Sequence, residues 1–496
     1  MTAPSGTQAD QGQSFLTQVT EALTDGARFC CLFASASDQS TLLRYVLSHK
    51  TRLTSLELRV PGRSGPFPSL SPQLAAAAWY EREIHDLFGL LPLGHPRLDP
   101  LVLPRSDDAV PPRPGTGSPP DSVPLDLTPL AASVRGEGVF TIPYGPVRSG
   151  VFEAIEYVVE TPGEYIPHLR TRIFHKHRGL ECRFEGLGVE DGVLLAERAE
   201  GVATVAHAMA YCQAIEQMTQ CDVPEEAALV RVVHAELERI ANHLDSAIRH
   251  TEAAGQAVAF ARLTLHKERV QRLRAELSGS RFGRGVVVPG GVTGPLRLGT
   301  GELFAQLDHI DRGIHSDLRL LLATPSFVDR LRATGVISPH IAASYALVGP
   351  VGRGSGQHED VRFSRPYGAY PTLGHQLSDP HEQGDALARL RVRNDEIAGS
   401  FHLIRQAIDR LSTVTSPLWR RPTPPAQGMA FGWAEAPQGE LLYFVEAHEG
   451  ALVRVKPRSA SFHNLAPFDM AFPKDILTDF AFVEASFGVS IAGAAG

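Results

Sequence analysis

Eight polar residues have the types and spacings to do chemistry: Arg148, His177, Arg178, Glu200, His207, Glu236, Arg239 and His243. An imidazole changes charge near neutral pH, and a carboxylate within its reach can hold or pass a proton. A guanidinium beside them can donate to a carbonyl or carboxylate oxygen through a fixed fork. Read as one helix, Glu200 and His207 lie two turns apart on one face, with Ala203 and Thr204 between them. Glu236, Arg239 and His243 fall on one stripe of a second helix. Such a set could conduct protons or bind a small polar ligand. It could equally be a group of internal hydrogen bonds.

The elements that must position these residues lie between His177 and Leu244. HRGLE (His177–Glu181) opens the stretch, ERAEGVATVAHAMAY (Glu197–Tyr211) follows, and VPEEAALVRVVHAELERIANHL closes it. Ala199, Gly201, Ala203, Ala206, Ala208 and Ala210 are spread round the middle piece. Small side chains let another backbone approach closely, so this segment is expected as a helix inside a bundle. Asp222 and Pro224 signal the start of the next helix. Its apolar positions Leu229, Val233, Leu237, Ile240, Leu244 and Ile248 recur every three or four residues. The stripe of Glu236, Arg239 and His243 borders that face, where it can line a cleft or form an ordinary surface ion pair.

A chain of 496 residues is too long for one compact core, and 43% hydrophobic content supports packed domains. With 47 basic against 55 acidic residues, the charge balance argues against a nucleic-acid partner. Five cysteines without regular spacing suit a reduced cytoplasmic setting. Met1–Phe15 lacks the pattern of a signal peptide, and no run approaches the ~20 apolar residues of a membrane helix. Membrane contact is therefore expected through a partner.

The N-terminal part reads as a helix over Phe15–Leu23 and a buried strand over Phe29–Phe33. Helical spacing follows over Ser40–Ser48, then a half-buried strand over Leu53–Val60. In Ala76–Pro104, the charged residues Glu81, Arg82, Glu83, His85 and Asp86 crowd between Trp79, Tyr80 and Phe88. Pro104–Leu130 is rich in Pro, Gly, Ser and Asp and reads as an extended linker. From Gly136 onward, short strands joined by Gly/Pro turns lead into the helical stretch.

WYEREIHDLFGL, GHPRL and LP within Ala76–Pro104 resemble the signature of the C-type subunit of the proton-pumping NADH:quinone oxidoreductase, respiratory complex I. GPVRSGVFE (Gly145–Glu153), HRGLE, ELERIANHL and SGSRFGRGVVVPGGV (Ser278–Val292) resemble the D-type subunit. DVRFSRPYGAY (Asp360–Tyr370), GWAEAPQGELLYFVEAHEG (Gly432–Gly450) and RVKPRSASFHNL (Arg454–Leu465) extend that likeness. The D-type subunit shares ancestry with the large subunit of nickel–iron hydrogenases. A fusion of the C and D types resembles the large subunit of the formate-hydrogenlyase type. The resemblance implies an α+β fold: a small N-terminal α/β domain over 1–104, a linker over 105–135, and a larger domain over 136–496. That larger domain is expected to be mostly helical with flanking β-strands. The resemblance also implies a subunit of a membrane-associated oxidoreductase complex, peripheral on the cytoplasmic side of the inner membrane. Its expected partners are membrane subunits and an iron–sulfur small subunit of the complex I B type, which carries the cluster.

In such hydrogenases four cysteine thiolates hold nickel and iron, a soft ligand set matched to those metals. Counted from Arg198, the first pair of ligand positions falls on Glu200 and Ala203. Counted from Ser486–Phe487, the second falls on Ser490 and Gly493. The quinone site of the D-type subunit fares similarly: the two histidines of its opening turn, the second of which helps bind the headgroup, fall on Arg148 and Phe152, and its headgroup-binding tyrosine on Gly201. No cofactor is therefore expected on this chain. Two functional readings stay open, a subunit taking part in electron transfer or redox coupling and a purely structural, coupling subunit.

Overall fold

The computed structural model describes residues 6–37, 39–62, 64–106, 109–117, 123–127, 134, 136, 138–148, 153–374, 380–423, 425 and 427–496. It is a mixed α+β fold with a sheet-rich N-terminal part and a larger, mostly helical part that carries small sheets of its own.

In the N-terminal part, helix α1 (Gly6–Thr24) accompanies an antiparallel sheet of β1 (Arg28–Ala36), β2 (Ser40–His49) and β3 (Arg52–Pro61). The segment expected as helical, Ser40–Ser48, is the central strand, with Leu43 opposite Leu58 and Tyr45 opposite Leu56. Most of its residues are buried, including consecutive ones, so both faces are covered. The alternation that marks a half-exposed strand is thereby erased. Helix α2 (Ala78–Phe88) buries nine of its eleven residues and ends at Gly89, whose left-handed φ of 71° suits glycine. Its charges are interior rather than superficial. Glu81 accepts from the Ser69 and Ser71 hydroxyls at 2.5 and 2.6 Å, and Asp86 from the Leu101 and Val102 amides at 2.8 and 2.9 Å.

The described part of the linker is fastened at several points. Arg113 donates its amide to the Leu87 carbonyl at 2.8 Å and a guanidinium nitrogen to Thr41 at 2.9 Å. Glu185 of the larger part accepts the amides of Gly115 and Gly117 at 2.5 and 2.7 Å. Much of 118–137 lies outside the described residues.

The larger part begins with an antiparallel sheet of β4 (Phe140–Tyr144), β5 (Glu156–Thr161) and β6 (His168–Arg172). Its principal helices are α3 (Thr204–Thr219), α4 (Glu225–Ala253), α5 (Ala257–Ser278), α6 (Thr300–Leu322) and α7 (Ala386–Leu411). A second antiparallel sheet follows, of β7 (Gln427–Ala436), β8 (Gly439–His448) and β9 (Ala451–Arg458), then the short helices α8 (Phe480–Phe487) and α9 (Ile491–Ala495). The small residues of α3 act as their spacing implies. Strand β7 lies so close that a Cβ at Gly432 would collide with the Ala210 carbonyl oxygen. In α4 the six apolar positions from Leu229 to Ile248 are all buried.

Among the described residues two apolar cores result. One encloses α3–α7, while the other joins the N-terminal sheet and α2 to β8 and the C-terminal segment. Phe33 meets Phe444 at 4.9 Å between centroids, and Tyr80 meets Phe462 at 5.0 Å. The N-terminal part therefore closes its core against the rest of the chain. Among the described residues, no helix is long and apolar enough to cross a membrane.

Candidate functional site

Glu200 and His207 do not share a helix. Glu238 of α4 accepts the amides of Val205 and Ala206 at 2.8 and 3.0 Å, which fixes the N-terminus of α3 at Thr204. Glu200 precedes it in an irregular turn that still delivers the carboxylate to the imidazole, with Oε2 3.1 Å from His207 Nε2. The other oxygen, Oε1, accepts from the Ser461 hydroxyl at 2.6 Å. His207 Nδ1 lies 2.7 Å from the hydroxyl of Tyr443 on β8. One tautomer satisfies the whole chain: Nε2–H donates to Glu200 and the Tyr443 hydroxyl donates to Nδ1. All four side chains are buried. Burial first, and then the Glu200 carboxylate, push the Tyr443 phenol well above its ordinary range, so it stays a proton donor.

The C-terminal segment closes over this chain. Ser490 donates its amide to Ser461 Oγ at 3.0 Å, and a Cβ at Gly493 would lie 2.6 Å from the Glu200 carboxyl carbon. Glu153 receives the hydroxyl of Ser490 at 3.0 Å and the amides of Ile491 and Ala492 at 2.6 and 3.1 Å. Arg178 donates to the carbonyls of Ala199 and Ala492 at 2.5 and 2.9 Å, stapling the turn to the terminal segment. His177 Nδ1 lies 2.7 Å from the Ala495 carbonyl, and burial holds this histidine below its usual range. His177, Arg178, Glu200 and His207 are thus brought together.

A cavity of about 20 Å³ adjoins them, bordered by Tyr80, Glu83, Glu181, His207, Lys456 and Gly493. It has room for about one water-sized occupant. Lys456 donates to Glu83 at 2.7 Å and to Glu181 at 2.6 Å, and Arg454 pairs with Glu181 at 2.6 Å. Sequence reasoning did not select Arg454, Lys456 or Arg458 as site residues. The signal was present in RVKPR, where alternate cations on strand β9 share one face.

Glu236, Arg239 and His243 form a separate buried group. Glu236 accepts from Tyr370 at 2.6 Å, Ser400 at 2.7 Å and Arg239 at 3.1 Å, with Arg362 at 3.3 Å. Burial opposes its charge, but Arg239, Arg362 and these hydroxyls hold its carboxyl down at about 2. His243 meets Glu396 at 2.9 Å, and burial lowers it to about 4. Three carboxylates surround the Arg353 guanidinium: Glu396 at 2.6 Å, Glu435 at 3.1 Å and Asp360 at 3.5 Å. Burial, then the nearby Asp360 charge, push Glu435 up to about 7 against the pull of Arg353. The polar stripe of α4 is therefore an interior ion network rather than a surface or part of the Glu200 site. Its partners come from segments that spacing within one helix cannot reveal.

Arg148 stands in a third place, forked onto Glu484 at 2.6 and 3.1 Å and lying 5.0 Å over the Tyr144 ring. Phe152 lies outside the described residues. The eight candidates thus divide into three groups.

The donor set at the four ligand positions does not fit a thiolate-bound nickel–iron centre. Ala203 and Gly493 supply no side-chain donor, Glu200 is engaged by His207 and Ser461, and Ser490 is engaged by Glu153. Among the described residues, no group of three or more His, Cys, Asp or Glu is arranged to hold a metal ion.

Residues 10–115 match the family model of the respiratory-chain NADH dehydrogenase 30 Kd subunit, and residues 254–418 match that of the 49 Kd subunit. The carbon monoxide-induced hydrogenase of Rhodospirillum rubrum is 31% identical over 312 residues, covering 62% of this chain and 86% of that protein. A D-type NADH-quinone oxidoreductase subunit of Anaeromyxobacter sp. (strain K) is 32% identical over 327 residues, 64% of this chain and 86% of that protein. Formate hydrogenlyase subunit 5 of Escherichia coli (strain K12) is 28% identical over 424 residues, 83% of this chain and 73% of that protein.

Proposed function

This chain joins a 30 Kd-type region to a 49 Kd-type region and belongs to the family of D-type NADH-quinone oxidoreductase subunits and related hydrogenases, and on that basis we propose that it is a subunit of a membrane-associated, respiratory-type oxidoreductase complex. In this reading it takes part in electron transfer or redox coupling without a nickel–iron centre of its own. An iron–sulfur small subunit resembling the B-type subunit of complex I supplies the cluster, and membrane subunits hold the assembly at the cytoplasmic side of the inner membrane. His177, Arg178, Glu200 and His207 are the residues proposed to carry its chemistry, as a proton-holding chain. The observation that carries this reading is the convergence of Glu200, Ser490 and Gly493 on one buried spot with no thiol among them.

A second reading, a non-catalytic coupling subunit, draws on the same spot. Both oxygens of Glu200 and both ring nitrogens of His207 already have partners, which leaves little free for a substrate. Purifying the native complex separates the two readings. Redox turnover that collapses in Glu200→Gln, with assembly intact, supports the first, and turnover unchanged in that variant supports the second.

A further inference from the structure

We infer that Glu200 is a built-in replacement for a metal cross-link: its carboxylate fills the space over Gly493 and ties the turn before α3 to the C-terminal segment. This rests on the reading that the chain holds no nickel–iron centre. In a thiolate site the metal would bind the region of 200–203 to that of 490–493. Here the same two regions are joined through Glu200 Oε1, the Ser461 hydroxyl and the Ser490 amide, at 2.6 and 3.0 Å.

Gly493 shows that the fit is steric. It sits in α9 without the positive φ that would call for glycine, so its backbone suits any L-residue. A Cβ there would nevertheless lie 2.6 Å from the Glu200 carboxyl carbon and 2.6 and 2.9 Å from its two oxygens. A flexible carboxylate could swing aside, but this one is only 2% exposed and each oxygen has a donor, His207 on one and Ser461 on the other. Moving it would leave buried polar atoms unpaired. Residues 200 and 493 are therefore interlocked, and a thiol at 493 is incompatible with the carboxylate at 200.

The test is a cycle on the full-length protein. It uses Gly493→Ala in wild-type, Glu200→Ala and Glu200→Gln backgrounds, read by melting temperature and by amide exchange of residues 490–496. In the wild-type background Gly493→Ala is expected to lower the melting temperature by several degrees and to speed exchange in 490–496 by at least about tenfold. Glu200→Ala is expected to loosen the same residues, and Gly493→Ala then adds little, because the methyl group enters vacated space. Glu200→Gln keeps the volume and should keep most of the Gly493→Ala penalty. Equal penalties in the Ala and wild-type backgrounds, or no penalty in either, would overturn the cross-link. Near-stoichiometric nickel in the wild-type preparation would instead overturn the reading beneath it.

Discussion

Lys456→Ala is the substitution whose cost the structure specifies most closely. The ammonium group is buried between Glu83 of α2 and Glu181, with donor distances of 2.7 and 2.6 Å. Glu181 keeps Arg454 at 2.6 Å after the substitution, so the uncompensated charge falls on Glu83. Removing one member of a buried pair typically costs about 3–5 kcal/mol. Protonation of Glu83 limits that loss. Burial already raises its carboxyl, Lys456 opposes the rise, and Glu181 adds to it. Without Lys456 the folded-state pKa rises further above the unfolded value. A raised carboxyl contributes stability that is present below the unfolded pKa and is lost as pH rises through the folded one. The deficit is thus expected to be smallest below the unfolded carboxylate range and to grow as pH rises through the raised folded-state value. Urea midpoints of wild type and Lys456→Ala across that range measure it. The pair Lys456→Met with Glu83→Gln, which removes both charges, is expected to regain most of the loss. A deficit below about 1 kcal/mol at the alkaline end, or one that does not vary with pH, would show that Lys456 does not neutralise a buried Glu83 charge.

Glu435 provides a second pH dependence. Burial and Asp360 raise its carboxyl to about 7, so its stabilising contribution fades as pH climbs from the ordinary carboxylate range through about 7. The stability of wild type relative to Glu435→Gln is therefore expected to fall over that interval, and a flat difference in urea midpoints would contradict this. His207→Ala leaves a Glu200 oxygen and the Tyr443 hydroxyl without their partner, a loss of roughly 1–3 kcal/mol. Its melting temperature is expected to drop, while the exposed Lys474→Ala stays near wild type. Activity lost with an unchanged melting curve would instead mark His207 as functional alone. Proteolytic cleavage within residues 118–122 is expected to leave two fragments that co-elute on gel filtration, since they share a core. Separate elution of two folded fragments would count against that.

The long motifs carried the family and the α+β class because each combines aromatic, charged and glycine positions over many residues. Local periodicity carried α4, whose six apolar positions are all buried. It failed at Ser40–Ser48, where a central strand covered on both faces loses its alternation. It also extended α3 through Glu200, because the carboxylate that ends that helix belongs to Glu238, 38 residues further along the chain from Glu200. Charged residues were the hardest to place. Glu83, Lys456 and Arg353 look like surface residues in sequence and become interior only when distant segments supply partners. Of the positions reached by gapless counting, 200 and 493 are brought together in the fold.

Whether this chain has lost its nickel–iron chemistry is decided by metal analysis of the purified native complex, with hydrogen uptake measured on the same sample. Iron at the level of the partner's iron–sulfur cluster is expected, with no stoichiometric nickel and no hydrogen uptake. Nickel approaching one atom per chain, with hydrogen-uptake activity, would contradict that loss.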